Sequence, residues 1–342
     1  MTKKQAFILA NFGGPRSEQE IEPFLISLLT DRDLIRTNLP NFFHRLLFTR
    51  IAKKRVKTVL KEYQQMGGKS PIFEETEMLA KQLAPELPGP LFVFHRYLQS
   101  THAEFIEQLS KVDADQITVL PLFPQFTYVT TGSIARFFND HLPWSIVTKL
   151  RWVSSYADHP SFIGPSCSQI ENTLKKNNLT AEETFFLFSA HGVPAQYIAA
   201  GDLYLEECQA SVSAVMEHFP KTSYLLAFQS QFGKEEWLRP YTKELSVDIK
   251  PWVEEKKKLL FIPISFTSDH LETLQEIGHG YLPEVIKQGV EAHLVPAVGS
   301  HPQWVESCKQ LFLSKHLTNN HMLIRPIGCK TVCSGCQKVC RK

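Results

Sequence analysis

Short apolar runs punctuate the chain. They are Ala6–Phe12, Leu91–Tyr97, Ile117–Phe123, Ile146–Trp152, Thr184–Ser189, Tyr224–Phe228, Leu259–Ser265 and Ala292–Val298. Each is followed by a stretch compatible with a helix. Unbroken β-rich runs alternating with helices predict parallel strands covered on both faces. The runs fall into two sets of four, which predicts two α/β domains of similar build, each with a four-stranded parallel sheet. Pro and Gly cluster between Ser154 and Pro165 and mark the break. The predicted division is an N-terminal domain over 1–153, a C-terminal domain over 154–320 whose last helix can pack back on the first, and a tail over 321–342. In open α/β sheets ligands sit outside the carboxyl ends of strands, and the cleft between two such domains is the default site.

The segment from Arg36 to Lys61 departs from plain α/β winding. It carries eight Lys/Arg and no acid, interleaved with Leu39, Phe42, Phe43, Leu46, Leu47, Ile51, Val56, Val59 and Leu60. The apolar positions keep helical spacing. One reading is an amphipathic helix with a solvated basic face. The other is a lip that meets an anionic membrane surface or a large apolar ligand.

Composition narrows the class. The chain has 342 residues, 43% apolar and 21% charged, as a soluble globular protein of about two domains should. Its net charge of +2 implies no nucleic-acid partner. No apolar run approaches the ~18 residues that span a bilayer. Met1-Thr2-Lys3-Lys4 leads straight into the first strand, leaving no room for a signal-peptide core, which predicts a cytoplasmic protein. The cysteine count is odd, seven in all, which argues against a disulfide framework.

Candidate chemistry gathers where strands end. His191 closes one apolar run in Phe188-Ser189-Ala190-His191-Gly192-Val193-Pro194. A second run leads into Phe266-Thr267-Ser268-Asp269-His270-Leu271-Glu272. Ser268 or Asp269 can cap the following helix, with Glu272 completing a capping box. His270 between them has no part in that scheme, and imidazole with carboxylate suits proton transfer or a divalent metal. Gln229-Ser230-Gln231-Phe232-Gly233 and Trp237 follow a third run. Asn11-Phe12-Gly13-Gly14-Pro15 follows the first, but it lacks G-x-G-x-x-G spacing and Pro15 removes a donor, so a dinucleotide is not expected. Aromatic and polar groups at strand ends suit a flat, largely apolar ligand.

Taken in order, Leu9–Pro15, Gly67-Gly68-Lys69-Ser70-Pro71-Ile72, Ser189-Ala190-His191-Gly192, Gln229–Trp237 and Ser268–Glu272 resemble the motifs of the ferrochelatases. The resemblance runs from the first strand to about residue 310. It implies the chelatase fold, two similar Rossmann-like domains flanking a central porphyrin cleft. It also implies insertion of Fe(II) into protoporphyrin IX with release of the pyrrole protons. Coproporphyrin III as substrate, or a non-catalytic porphyrin or haem carrier, are the alternatives. By resemblance His191, Glu272, Asp269 and His270 are catalytic, with His191 and Glu272 meeting the substrate iron. Phe12, Ser70, Arg96, Tyr97, Trp237 and Phe266 line the porphyrin site, and Arg96, Ser70 and Tyr97 are candidates for the propionates. The 36–66 segment matches the active-site lip, with membrane contact expected through 39–60.

The tail reads Cys329-x3-Cys333-x2-Cys336-x3-Cys340. Four thiolates this close can hold a [2Fe–2S] cluster or, alternatively, zinc. Some ferrochelatases add one distant cysteine to three in the tail. The matching position here is Tyr128, so Cys329 would be the fourth ligand.

Overall fold

The computed structural model describes residues 3–253 and 258–325. They form two compact units, one running to Ser155 and resuming at Val305, the other Tyr156–Trp304. Residues 305–320, which the apolar pattern assigns to the second domain, therefore belong to the first unit, where Phe312 packs edge-on against Phe7.

The first unit contains strands β1 (Gln5–Asn11), β2 (Leu91–His95), β3 (Gln116–Pro121), β4 (Leu150–Trp152) and β9 (Thr318–Asn319), in the order β2-β1-β3-β4-β9. The first four are parallel, and β9 is antiparallel to β4. This sheet has five strands, not four. β9 is two polar residues long, so no apolar run announces it. It is held from outside its own sequence. Trp152 donates to the Asn320 side chain at 3.0 Å, Asn320 donates to the Ala135 carbonyl at 3.1 Å, and Arg136 binds the Arg325 carbonyl. The run Ile146–Trp152 also divides. Pro143 starts a short helix, Trp144–Val147, and only Leu150–Trp152 is strand.

The second unit contains β5 (Phe185–His191), β6 (Tyr224–Gln229), β7 (Lys258–Ile262) and β8 (Glu291–Leu294), all parallel, in the order β6-β5-β7-β8. β1 and β5 are central, and from Ala6 to Asn11 and Phe185 to Ala190 they are buried throughout, as strands covered on both faces must be. Aromatic rings fill the first core: Phe94, Phe105, Phe138 and Trp152 are all buried. Burial of each such ring contributes about 1.5–3 kcal/mol.

The basic segment forms a helix, Asn41–Gln65. Its buried stripe is His44, Phe48, Ala52, Val59 and Tyr63. Phe42, Phe43, Leu46 and Leu47 lie on the outer side with the cations, Phe42 being 71% exposed. The apolar positions thus divide: these four are on the solvent side, Val59 packs inward, and Ile51, Val56 and Leu60 are half-buried. No described helix is long and apolar enough to cross a membrane.

Candidate active site

In the second unit, β5 ends at His191 and its neighbour β6 ends at Gln229, the two residues being paired in register. Gly192 follows, and its N–H donates to the Gln229 carbonyl at 2.8 Å. The approach is close enough that a Cβ on residue 192 would lie 2.9 Å from that carbonyl and 3.1 Å from the Trp237 ring. This is why glycine stands there. The His191 main-chain N–H donates to Ser265 Oγ at 2.9 Å, which fixes the strand end.

β7 leads through Ser265–Asp269 into a π-helix, Leu271–Tyr281. π-helices are rare and concentrate at functional sites. The helix begins later than either expected cap, Ser268 or Asp269. Its N-cap is His270, whose N–H donates to Thr273 Oγ1 at 2.9 Å. Thr273 takes the reciprocal role assigned from sequence to Glu272, and the Glu272 carboxylate is thereby left for other partners.

Those partners are two histidines. His191 Nδ1 donates to the Gly192 carbonyl at 2.6 Å, and His270 Nδ1 donates to the Ser268 carbonyl at 3.0 Å. A carbonyl only accepts, so each ring carries a proton on Nδ1; Nε2, turned to Glu272, is the atom that gains or loses the second proton, and it carries that proton when it bonds the ionised carboxylate, which also only accepts. His191 Nε2 lies 3.5 Å from Glu272 Oε1, and His270 Nε2 bonds Glu272 Oε2. The three groups form one line, imidazole to carboxylate to imidazole. His191 and Glu272 are half-buried, with side chains 38% and 30% exposed. Burial alone pulls both histidine pKa values down, but the Glu272 carboxylate more than reverses it, and both end above the ordinary imidazole value. Burial likewise works against the charged form of Glu272, but the two histidines win and hold it below the usual carboxylate range. Phe266 and Trp237 flank His191 with ring centroids at 6.4 and 6.5 Å, and Phe266 also lies 4.8 Å from His270. Two of the aromatic rings expected at the strand ends therefore stand beside the imidazole.

Asp269 is a different case. Its two oxygens accept from Thr273 Oγ1 at 2.9 Å and from the Ala297 N–H at 3.2 Å. Burial raises its pKa, and these bonds only partly offset that. It was expected to be catalytic. Both oxygens accept hydrogen bonds that tie the strand-to-helix junction together.

The first unit holds the remaining expected residues. Phe12 follows β1, partly exposed, with its ring edge-on to Tyr97 at 4.5 Å. Arg96 donates to Asp31 at 2.7 Å and Ser133 at 2.9 Å, and the Tyr97 hydroxyl donates to the same Asp31 oxygen at 2.9 Å. Burial and the Asp31 charge raise the Tyr97 phenol far above its usual value. Ser70 is 2% exposed, tucked against Gly14. A propionate needs a donor at the surface. Tyr97 and Ser70 are covered, whereas Arg96 uses two of its five N–H groups, on Asp31 and Ser133. Asp31 itself escapes sequence reasoning, because nothing in Thr30-Asp31-Arg32-Asp33 announces that both carboxylates turn inward, Asp31 to Arg96 and Asp33 to Arg136.

Among the described residues no group of three or more His, Cys, Asp or Glu is placed to hold a metal. Cys167, Cys208 and Cys308 are buried thiols, and burial pushes Cys167 up to about 12, far from reactivity. Cys329, Cys333, Cys336 and Cys340 lie outside the described residues.

The sequence model of the ferrochelatase family matches residues 4–316. The ferrochelatase of Chlamydia abortus is 42% identical over 319 residues, covering 93% of this chain and 98% of that protein. That of Chlamydia caviae is 43% identical over 320 residues, covering 94% and 99%. Among solved structures, SirB from Bacillus subtilis with Fe3+ is similar at a TM-score of 0.52 and 13% identity, covering 90% of this chain and 93% of that one, a likeness of fold. A match through nearly the whole length, with the imidazole–carboxylate line at the strand ends where its motifs fall, means that this chain belongs to the ferrochelatase family of metal chelatases.

Proposed function

We propose that this chain is a lyase that inserts Fe(II) into protoporphyrin IX to give protohaem, with His191 taking pyrrole protons and Glu272 with His270 passing them on. The observation that carries the reading is the His191–Glu272–His270 line, with both Nδ1 atoms committed to carbonyls. A free-base porphyrin must lose both pyrrole N–H protons as the metal enters. Nε2 of His191 is the acceptor when the ring is neutral, and the adjacent carboxylate stabilises the imidazolium that forms. Glu272 then offers its other oxygen side to His270, so a proton has a second station. Phe266 and Trp237 supply apolar walls on which the macrocycle can be held bent, exposing nitrogen lone pairs to the metal.

The choice of protoporphyrin rests on the exposed apolar positions Phe42, Phe43, Leu46 and Leu47. An apolar lip suits a porphyrin with apolar substituents along one edge, whereas coproporphyrin III carries carboxylates on all sides. Anaerobic incubation with Fe(II) and each porphyrin in turn, followed by absorbance, tests this. Haem formation from protoporphyrin IX at a higher kcat/KM supports it. Preference for coproporphyrin III would move the assignment to that substrate, and binding of porphyrin without turnover would leave a carrier.

The same lip, with its run of cations free of acids, is proposed to rest on an anionic membrane surface from the cytoplasmic side. The protein should co-sediment at low salt with vesicles containing phosphatidylglycerol and be released as salt rises. Absence of binding at low salt would sink this idea. The tail cysteines are proposed to hold a [2Fe–2S] cluster, with zinc as the alternative. Protein purified anaerobically should show visible charge-transfer bands with iron and labile sulfide in equal amounts. A colourless protein carrying one zinc would select the alternative.

A further inference from the structure

The strand end opposite His191 carries a residue with no assigned role. Gln229 is 0% exposed, so its side chain meets no substrate. Its amide orientation is fixed by its neighbours. Oε1 accepts from Ser189 Oγ at 2.6 Å, and that hydroxyl also bonds Thr242 at 2.9 Å. Nε2 donates to the main-chain carbonyl of Glu272 at 2.8 Å and to Glu276 Oε2 at 3.0 Å. The main-chain carbonyl of Gln229 meanwhile accepts the Gly192 N–H.

Its neighbour completes the grip. Ser230 sits at φ +65°, a left-handed conformation that side chains other than glycine seldom adopt. That conformation aims its N–H at Glu276 Oε1 at 2.9 Å, and its hydroxyl bonds Oε2. The Tyr281 hydroxyl also donates to Oε1. Glu276 thus accepts four hydrogen bonds, one turn along the π-helix from Glu272.

We propose that Gln229 is a positioning residue for the His191–Glu272 pair. Its carbonyl holds the turn behind His191, its amide holds the backbone of Glu272, and one buried residue thereby sets the two groups opposite each other. This rests on the chelatase reading above. The bonds to Glu276 and Ser189 anchor the amide, and the bond to the Glu272 carbonyl does the positioning.

Two variants separate positioning from mere packing. Gln229→Leu removes both donor contacts and keeps a main-chain carbonyl. Its kcat for haem formation should fall about 10–100-fold, since small misplacements of reacting groups carry such losses. Its KM for protoporphyrin IX should stay within about twofold of wild type. The double variant Gln229→Glu/Glu276→Gln exchanges amide and carboxylate, so the 229–276 bond survives while the Glu272 carbonyl loses its donor. Its melting temperature should exceed that of either single exchange, because the 229–276 bond is restored, with kcat still depressed because a carboxylate oxygen now faces the Glu272 carbonyl. Two results overturn the proposal: a folded Gln229→Leu protein with wild-type kcat, or an exchange that restores kcat together with stability. If the leucine variant does not fold, the exchange decides alone. A wild-type protein that makes no haem would instead sink the reading beneath it.

Discussion

Replacing His191 by alanine is expected to lower the rate of iron insertion by about 10²–10⁴-fold, the usual loss when a positioned general base is removed. Porphyrin affinity, read from fluorescence quenching, should change by no more than about threefold. The split follows from geometry. Nδ1 of His191 is tied to the Gly192 carbonyl, so the ring is held with Nε2, turned to Glu272, as its proton-exchanging atom. Alanine removes that acceptor. The walls of Phe266 and Trp237 remain, because Trp237 is anchored by its own bond to the Phe232 carbonyl at 3.0 Å and the strand end by Ser265. Single-turnover absorbance measures the chemical step directly. A His191→Ala protein that metallates at the wild-type rate would show that the proton acceptor lies elsewhere.

Replacing Glu272 by glutamine should lower kcat by about 10²-fold and change the pH response in a defined direction. Both histidines gain protons more readily in the folded protein because of this carboxylate, against the pull of burial. The sign is fixed by linkage. A histidine with a raised folded pKa contributes stability that is fully present below its unfolded value near ~6.5 and is lost as pH rises through the folded value. Glu272, held low, contributes stability present above ~4.3 and lost as pH falls through its folded value. The cluster is therefore strongest in mildly acid solution. The difference in melting temperature between wild type and Glu272→Gln should be widest at pH ~5–6 and narrow as the solution becomes alkaline. In activity, the acid limb of the pH–rate profile should move to lower pH in the variant while the plateau falls, because His191 loses the charge that raised its pKa. An acid limb that stays in place would assign that limb to a different group.

Much of this was legible in the chain. All eight apolar runs contain a strand, because a parallel strand buried on both faces must be apolar along its length and its own sequence therefore records its environment. His191, His270 and Glu272 were visible for a related reason. Each stands where an apolar run stops, and polar groups at strand ends are what an α/β fold offers a ligand. Phe266 and Trp237 were found in the same way.

What escaped was whatever depends on partners distant in sequence. β9 has no apolar signature, and its place is set by Trp152, Ala135 and Arg136, far back in the chain. The fates of Arg96 and Tyr97 were decided by Asp31, which sits 65 and 66 positions away. Asp269 and Glu272 looked equivalent as carboxylates on one short segment. The π-helix start at His270 and the Ala297 N–H gave them different partners, backbone and threonine for Asp269 and two histidines for Glu272. Sequence alone determined the fold class and which residues reach the strand ends, since both follow from local periodicity and composition. Which of those groups share protons was decided only by the tertiary structure, because hydrogen bonds are short and directional and form only once the chain has brought residues such as His191, Gln229 and Glu272 together.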